Sequence, residues 1–183
     1  MVFIQMKNFY CLNSNSGFTL VETFVAITIL AFSLVAPISI AASSIASVRY
    51  ARDQITAFYL AGEALEYVRN VRDRNNQAGL NSPETWLSNL SICQNIDGCS
   101  VDSITDEILP ANFCGSAACP LSFSGGVYGY DSTAPQSPFT RIVKLTSPTS
   151  LEEAVVDVMV SWQTKGLPDR TIVIREILWN WEI

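Results

Sequence analysis

The sequence predicts an α+β fold: one long N-terminal helix, hydrophobic and transmembrane in its first half and amphipathic in its outer half, packed on a small C-terminal antiparallel sheet. Three observations predict it. Residues 23–48 are a run of twenty-six without a formal charge. After that run, apolar residues recur every three or four positions among charged ones, and near the C-terminus they recur every second position instead. Composition sets outer bounds. The 183 residues suit one or at most two domains, and the formal net charge is -6. An acidic chain lacks the lysine and arginine that phosphate contacts need, so no nucleic-acid partner is expected for it alone. It also has no histidine, the commonest general base and metal ligand, which lowers the expectation of catalysis.

Residues 1–17 are short and end in Asn13-Ser14-Asn15-Ser16, so they read as a leader, with Met1 or Met6 as the start. Residues 18–48 read as the membrane helix. At about 1.5 Å per residue the uncharged run alone would extend roughly 39 Å, beyond the roughly 30 Å of a bilayer core. One carboxylate, Glu22, lies near its beginning. From 18 to 45 there are fourteen Leu, Ile, Val or Phe residues. At about 0.3 to 0.6 kcal/mol each these favour insertion by roughly 4 to 8 kcal/mol, against about 3 kcal/mol or less for a carboxylate near one end. Insertion wins, and the carboxylate is left wanting a partner.

The string Gly17-Phe18-Thr19-Leu20-Val21-Glu22 ahead of this run resembles the N-terminus of the type IV pilin and type II secretion pseudopilin family, and Met6-Lys7-Asn8 resembles the beginning of prepilin leaders. The resemblance implies a pilin-like fold and cleavage after Gly17 by a prepilin peptidase. Phe18 becomes the N-methylated N-terminus, and Glu22 faces the freed amine of a neighbouring subunit during filament assembly. It implies as partners other pilin or pseudopilin subunits, an assembly platform and membrane lipid. It places the chain in the bacterial inner membrane, single-pass with its C-terminal part outside the cytoplasm, and then in a pilus or pseudopilus. At an effective dielectric near 20, charges about 4 Å apart attract by roughly 4 kcal/mol before desolvation. Pro37 falls inside the apolar helix, where it should bend or loosen it; family members often carry a proline near this depth. The rival for this segment is a conventional secretion signal, with Ser39 and Ala41 suited to a signal-peptidase cut that would release a soluble disulfide-bonded binding domain.

From 49 to 75 the helix is expected to continue amphipathically to about Asn75, ending before Gly79, with Ile55, Phe58, Gly62, Leu65 and Val68 as its apolar stripe. Arg69, Arg72 and Arg74 read as solvated helix charges rather than a polyanion site. Residues 76–138 are punctuated by Gly, Pro, Ser and Asn. They are expected to be a disulfide-bearing, loop-rich region with one short helix at 83–90, Ser82 its N-cap and Pro83 in its first turn.

Cys11 lies in the leader, leaving Cys93, Cys99, Cys114 and Cys119, which read as two disulfides in an oxidising compartment. Zinc is the rival, but these spacings are not paired C-x2-C. Three connectivities are open. Asp97, Asp102, Asp106 and Glu107 do not match a calcium-loop spacing and read as surface acidity, so no metal is expected.

Residues 139–183 read as an antiparallel meander with strands at 139–145, 154–162 and 171–181 and a turn through Lys165-Gly166-Leu167-Pro168-Asp169. The second is the clearest, with Ala154, Val156, Val158, Val160 and Trp162 on one face. Tryptophans at strand spacing are expected to pack in the core rather than form a carbohydrate platform. The ending through Val160-Ser161-Trp162 and Trp179-Asn180-Trp181 resembles the last strands of minor pilins and of one class of pseudopilin. No catalytic residue, Gly-x-Ser-x-Gly elbow or cofactor motif is found, so the expectation is a structural subunit and not an enzyme. An anchored adhesin or lectin-like domain is the alternative.

Overall fold

The computed structural model of the chain describes residues 17–80, 82, 85–115, 118–146, 152–164 and 168–180, with the Ala36 side chain excepted. Residues 1–16 of the expected leader, Pro83, Lys165, Gly166 and Leu167 of the expected turn, and Trp181 lie outside the described residues. The chain divides into two compact units, Met1–Ala46 and Ser47–Ile183. One helix, α1 (Leu20–Gln77), contributes to both.

In the first unit α1 carries Pro37 in its interior. Its most apolar eighteen-residue window has a mean hydropathy of 2.4 and no buried residue, so it is long and apolar enough to cross a membrane. Hydroxyl side chains within it are satisfied locally. Thr23, Thr28, Ser33 and Ser43 each donate to the carbonyl three residues earlier at 2.8–2.9 Å. An apolar setting tolerates a hydroxyl only when it is bonded in this way.

In the second unit α1 buries Ala57, Leu60, Ala61, Ala64, Leu65, Val68 and Val71. Leu65 and Val68 belong to the expected stripe, whereas Ile55 and Phe58 are exposed. The stripe is rotated because alanines let the helix approach the sheet more closely than the large residues that mark a hydrophobic pattern. The helix ends as expected before Gly79, which has φ +78°. Leu80 N–H donates to Asn75 O at 2.9 Å and Gly79 N–H to Asn76 O at 3.0 Å, the paired bonds of a Schellman ending.

Of the expected helix at 83–90, the described residues 85–87 form a turn and a 3₁₀ helix follows at Ser88–Gln94. Ser82 does help close that turn, its carbonyl accepting from Thr85 and Trp86 N–H groups. Residues 76–138 are also less loop-rich than expected. They hold β1 (Cys99–Asp102), β2 (Glu107–Pro110), β3 (Pro120–Ser124) and β4 (Val127–Gly129). Strands of this length give no visible alternation in a background of Gly, Pro and Ser. Three longer strands follow, β5 (Gln136–Thr146), β6 (Glu153–Trp162) and β7 (Arg170–Trp179).

The strands form one seven-stranded sheet, and every pairing is antiparallel. Strand β5 is its axis. One edge pairs with β6 from Phe139↔Trp162 to Thr146↔Val155, and β7 lies beyond. The other edge is shared by two hairpins: β1–β2 joins at Val143, β3–β4 at Gln136 and Thr140. Gly98, at φ +76°, is required at the first junction, since a Cβ there would lie 2.6 Å from Val143 O.

The core follows the alternation the sequence shows. Phe139, Val143 and Leu145 of β5 and Ala154, Val156, Val158, Val160 and Trp162 of β6 are buried. Both disulfides form between near neighbours, Cys93–Cys99 and Cys114–Cys119. The first is fully buried and fastens the 3₁₀ helix to the start of β1.

Candidate functional site

The stretch before and into α1 places the candidate residues of the first unit. Glu22 N–H donates to Thr19 Oγ1 at 3.3 Å, and Thr23 N–H donates to Thr19 O at 3.1 Å. Thr19 is therefore the N-cap, and Glu22 stands at the third helical position, the Thr-x-x-Glu order of a capping box. A carboxylate in a helix's first turn is favoured by the N–H groups left unpaired there. This role was missed in the sequence, although a threonine three residues before a glutamate at the head of an apolar run signals it.

Gly17 is exposed, and a Cβ at that position would meet nothing within 4 Å. The described fold itself thus makes no demand for glycine there. Phe18 is exposed, and Glu22 has no ion-pair partner among the described residues. Pro37 sits further along α1, and its ring leaves one backbone carbonyl of the preceding turn without its helical donor.

In the second unit the helix is held to the sheet by polar ties that the sequence pattern did not reveal. Arg141 is fully buried. It donates to Leu60 O at 3.1 Å and Val101 O at 2.7 Å, and lies 3.5 Å from a Glu63 carboxylate oxygen. Asp106, in a left-handed conformation with φ +57°, accepts two bonds from Arg74 at 2.6 and 2.9 Å and one from the Tyr67 hydroxyl at 3.0 Å. Those bonds, Arg74 first and then Tyr67, hold its carboxyl below the usual range. Burial, and then the Asp106 carboxylate, pushes the Tyr67 phenol up to about 12. On the sheet's other face Arg175 makes bonds of 2.6 and 2.8 Å to Asp157 and depresses that carboxyl too.

These pairings bear on two of the sequence alternatives. Arg69 bonds Glu66 and Glu176, Arg72, buried rather than solvated as expected, bonds Asp73, and Arg74 bonds Asp106, so the three arginines are spent on carboxylates rather than gathered for a polyanion. Of the acidic group, Asp102 is buried, not at the surface, and Asp106 is a clamp. Among the described residues no three His, Cys, Asp or Glu side chains could hold a metal ion. The tryptophans divide. Trp86 and Trp162 are in the core, whereas Trp179 is 53% exposed beside the equally exposed Val173 and Ile177. Strand β7 turns its other parity inward, with Leu178 buried and Ile172 and Ile174 packed against the core, so core packing fails for Trp179. No known protein family, curated protein or solved structure matches the chain.

Proposed function

We propose that the chain is a structural subunit of a pilin-like filament, a minor pilin or pseudopilin, anchored by its N-terminal helix in the bacterial inner membrane with its disulfide-bonded head outside the cytoplasm. One observation carries this reading: a helix apolar enough for a membrane, wholly unburied over its most apolar window, bears a lone carboxylate, Glu22, with no ion-pair partner among the described residues. A helix-end preference of about 0.3–1 kcal/mol does not offset an intramembrane carboxylate. A partner from another protomer does, and the amine of a chain beginning at Phe18 supplies a charge of the right sign. Gly17 supports the same reading. A glycine for which the described fold shows no steric reason is explained by a peptidase that must approach the backbone there.

Moving the helix from lipid into a bundle of like helices changes little hydrophobic energy, so packing and the Glu22–amine contact set the order of assembly. The partners are other subunits, a prepilin peptidase and an assembly platform. In the native host, the mature protein should begin at Phe18. Glu22→Ala should leave membrane insertion and that cleavage intact while reducing recovery in sheared filaments at least about ten-fold, as expected for loss of an ion pair worth more than about 1.4 kcal/mol. A mature protein starting near Ala42 would instead mean a secreted domain, and undiminished incorporation of the variant would remove the role given to Glu22.

A further inference from the structure

The two disulfides stand in different surroundings. Cys93 and Cys99 have no exposure at all, so a thiol in solution meets neither of them while the head is closed. In the second pair Cys119 is buried at 1% exposure, whereas Cys114 is exposed. Cys114 stands in an open turn: Asn112, Phe113 and Gly115 around it are exposed, and a Cβ on Gly115 would meet nothing within 4 Å. The pair is asymmetric, with one cysteine that an outside nucleophile can reach and one that it cannot.

Thiol–disulfide exchange needs access to one sulfur and a stabilised leaving thiolate at the other. Burial opposes a thiolate at Cys119. The backbone offsets that cost, because Cys114 N–H donates to Cys119 Sγ at 3.0 Å, and a donor bond to sulfur favours its charged form. The turn that carries this donor is also closed without the disulfide. Phe113 N–H donates to Pro110 O at 3.1 Å and Gly115 N–H to Asn112 O at 2.9 Å. Both flanks are fastened by other contacts as well, the Phe113 ring edge-on to Tyr130 at 5.2 Å and Pro120 paired with Thr140 of β5.

We propose that Cys114–Cys119 is an exchangeable bond and that Cys114 is the attachment site for a small thiol of the glutathione class. The incoming thiolate attacks Cys114 Sγ, the Cys114–Cys119 bond breaks, and its electron pair leaves on Cys119 as a thiolate. A mixed disulfide forms at Cys114 with no net oxidation or reduction. Attack by Cys119 on that mixed disulfide closes the bond again and releases the small thiol, so the attachment is reversible. Cys93–Cys99 stays closed and keeps the 3₁₀ helix on β1. This proposal concerns the head alone and is independent of the filament reading, so either can fail without the other.

Reduced glutathione added to the full chain in detergent micelles, quenched with N-ethylmaleimide over a time course and mapped by peptide mass spectrometry, tests it cysteine by cysteine. The first product should carry glutathione on Cys114 and maleimide on Cys119. Cys93–Cys99 should open at least about ten-fold more slowly, because it must wait for local unfolding. The far-ultraviolet circular dichroism should be unchanged while only Cys114–Cys119 is open. With oxidised glutathione as the probe, Cys114 in the Cys119→Ser variant should gain the adduct at least about ten-fold faster than Cys119 does in Cys114→Ser. Glutathione first on Cys119, equal opening of the two disulfides, no exchange at Cys114–Cys119, a collapsed spectrum when only that bond is open, or equal adduct rates in the two variants would each overturn the proposal.

Discussion

Arg141 shows how one residue can join two elements. Its guanidinium reaches a helix carbonyl, Leu60 O, and a strand carbonyl, Val101 O, from a position with no exposure. The Glu63 oxygen at 3.5 Å offers some charge compensation, but that side chain is 36% exposed and also accepts from Ser103. The carbonyl bonds should therefore matter more than the ion pair. Arg141→Ala is expected to destabilise the protein by about 3–5 kcal/mol, because it strands buried polar groups and opens a cavity. Glu63→Gln keeps the shape and should lose less than about 1 kcal/mol, the usual worth of a solvent-screened pair. Urea unfolding of both variants in micelles decides between them. Equal losses would mean that the charge pair, rather than the carbonyl ties, holds helix to sheet.

At the scale of elements, the disulfides differ in setting though both close short loops, with sequence separations of 6 and 5. Chain entropy alone gives each about 2 kcal/mol. Replacing Cys93 and Cys99 by serine should cost more than that, since two hydroxyls would enter a site with no exposure. In the Cys114/Cys119 double variant only the Cys119 hydroxyl would be buried, Cys114 being exposed, so the loss beyond the entropic value should be smaller. Denaturant midpoints of the two double variants test this, and equal losses would rule out the burial argument. Elements with a strong period were legible in the sequence: α1 to within two residues of each end, and β6 with its inward face intact. Elements without one were not. Strands β1 to β4 run three to five residues, too short for alternation to stand out. The buried stripe of α1 was misplaced at Ile55 and Phe58 because Ala57, Ala61 and Ala64, which pack closest, are weak markers of burial. Gly17, Phe18 and Glu22 stand out only through the resemblance that their order carries. The ties that Arg141 and Asp106 make to the helix, with partners far off in sequence, needed the fold.

For the molecule as a whole, the absence of histidine fixes where stability can respond to pH. The head's ion pairs join guanidinium to carboxylate, and no side chain of ordinary pKa changes charge between about pH 5 and 8. Asp106 and Asp157 have carboxyls lowered in the folded state by Arg74 and Arg175 respectively. A lowered carboxyl contributes stability that is present above its unfolded value of about 3.9 and is lost as pH falls through the folded one. Tyr67 runs the other way. Its phenol, raised to about 12, contributes stability that is complete below the unfolded value near 10 and disappears as pH rises through the folded one. The melting temperature of the full chain in micelles should therefore form a plateau from about pH 5 to 8, with an acid limb below about pH 4 and an alkaline limb from about pH 10 upward. Two variants assign the limbs. Asp106→Asn should lower the plateau and flatten the acid limb, because the neutral amide pairs with Arg74 equally weakly at every pH. Tyr67→Phe should remove part of the alkaline limb and leave the acid limb in place. A step between pH 5 and 8 in the unmodified chain would contradict this account.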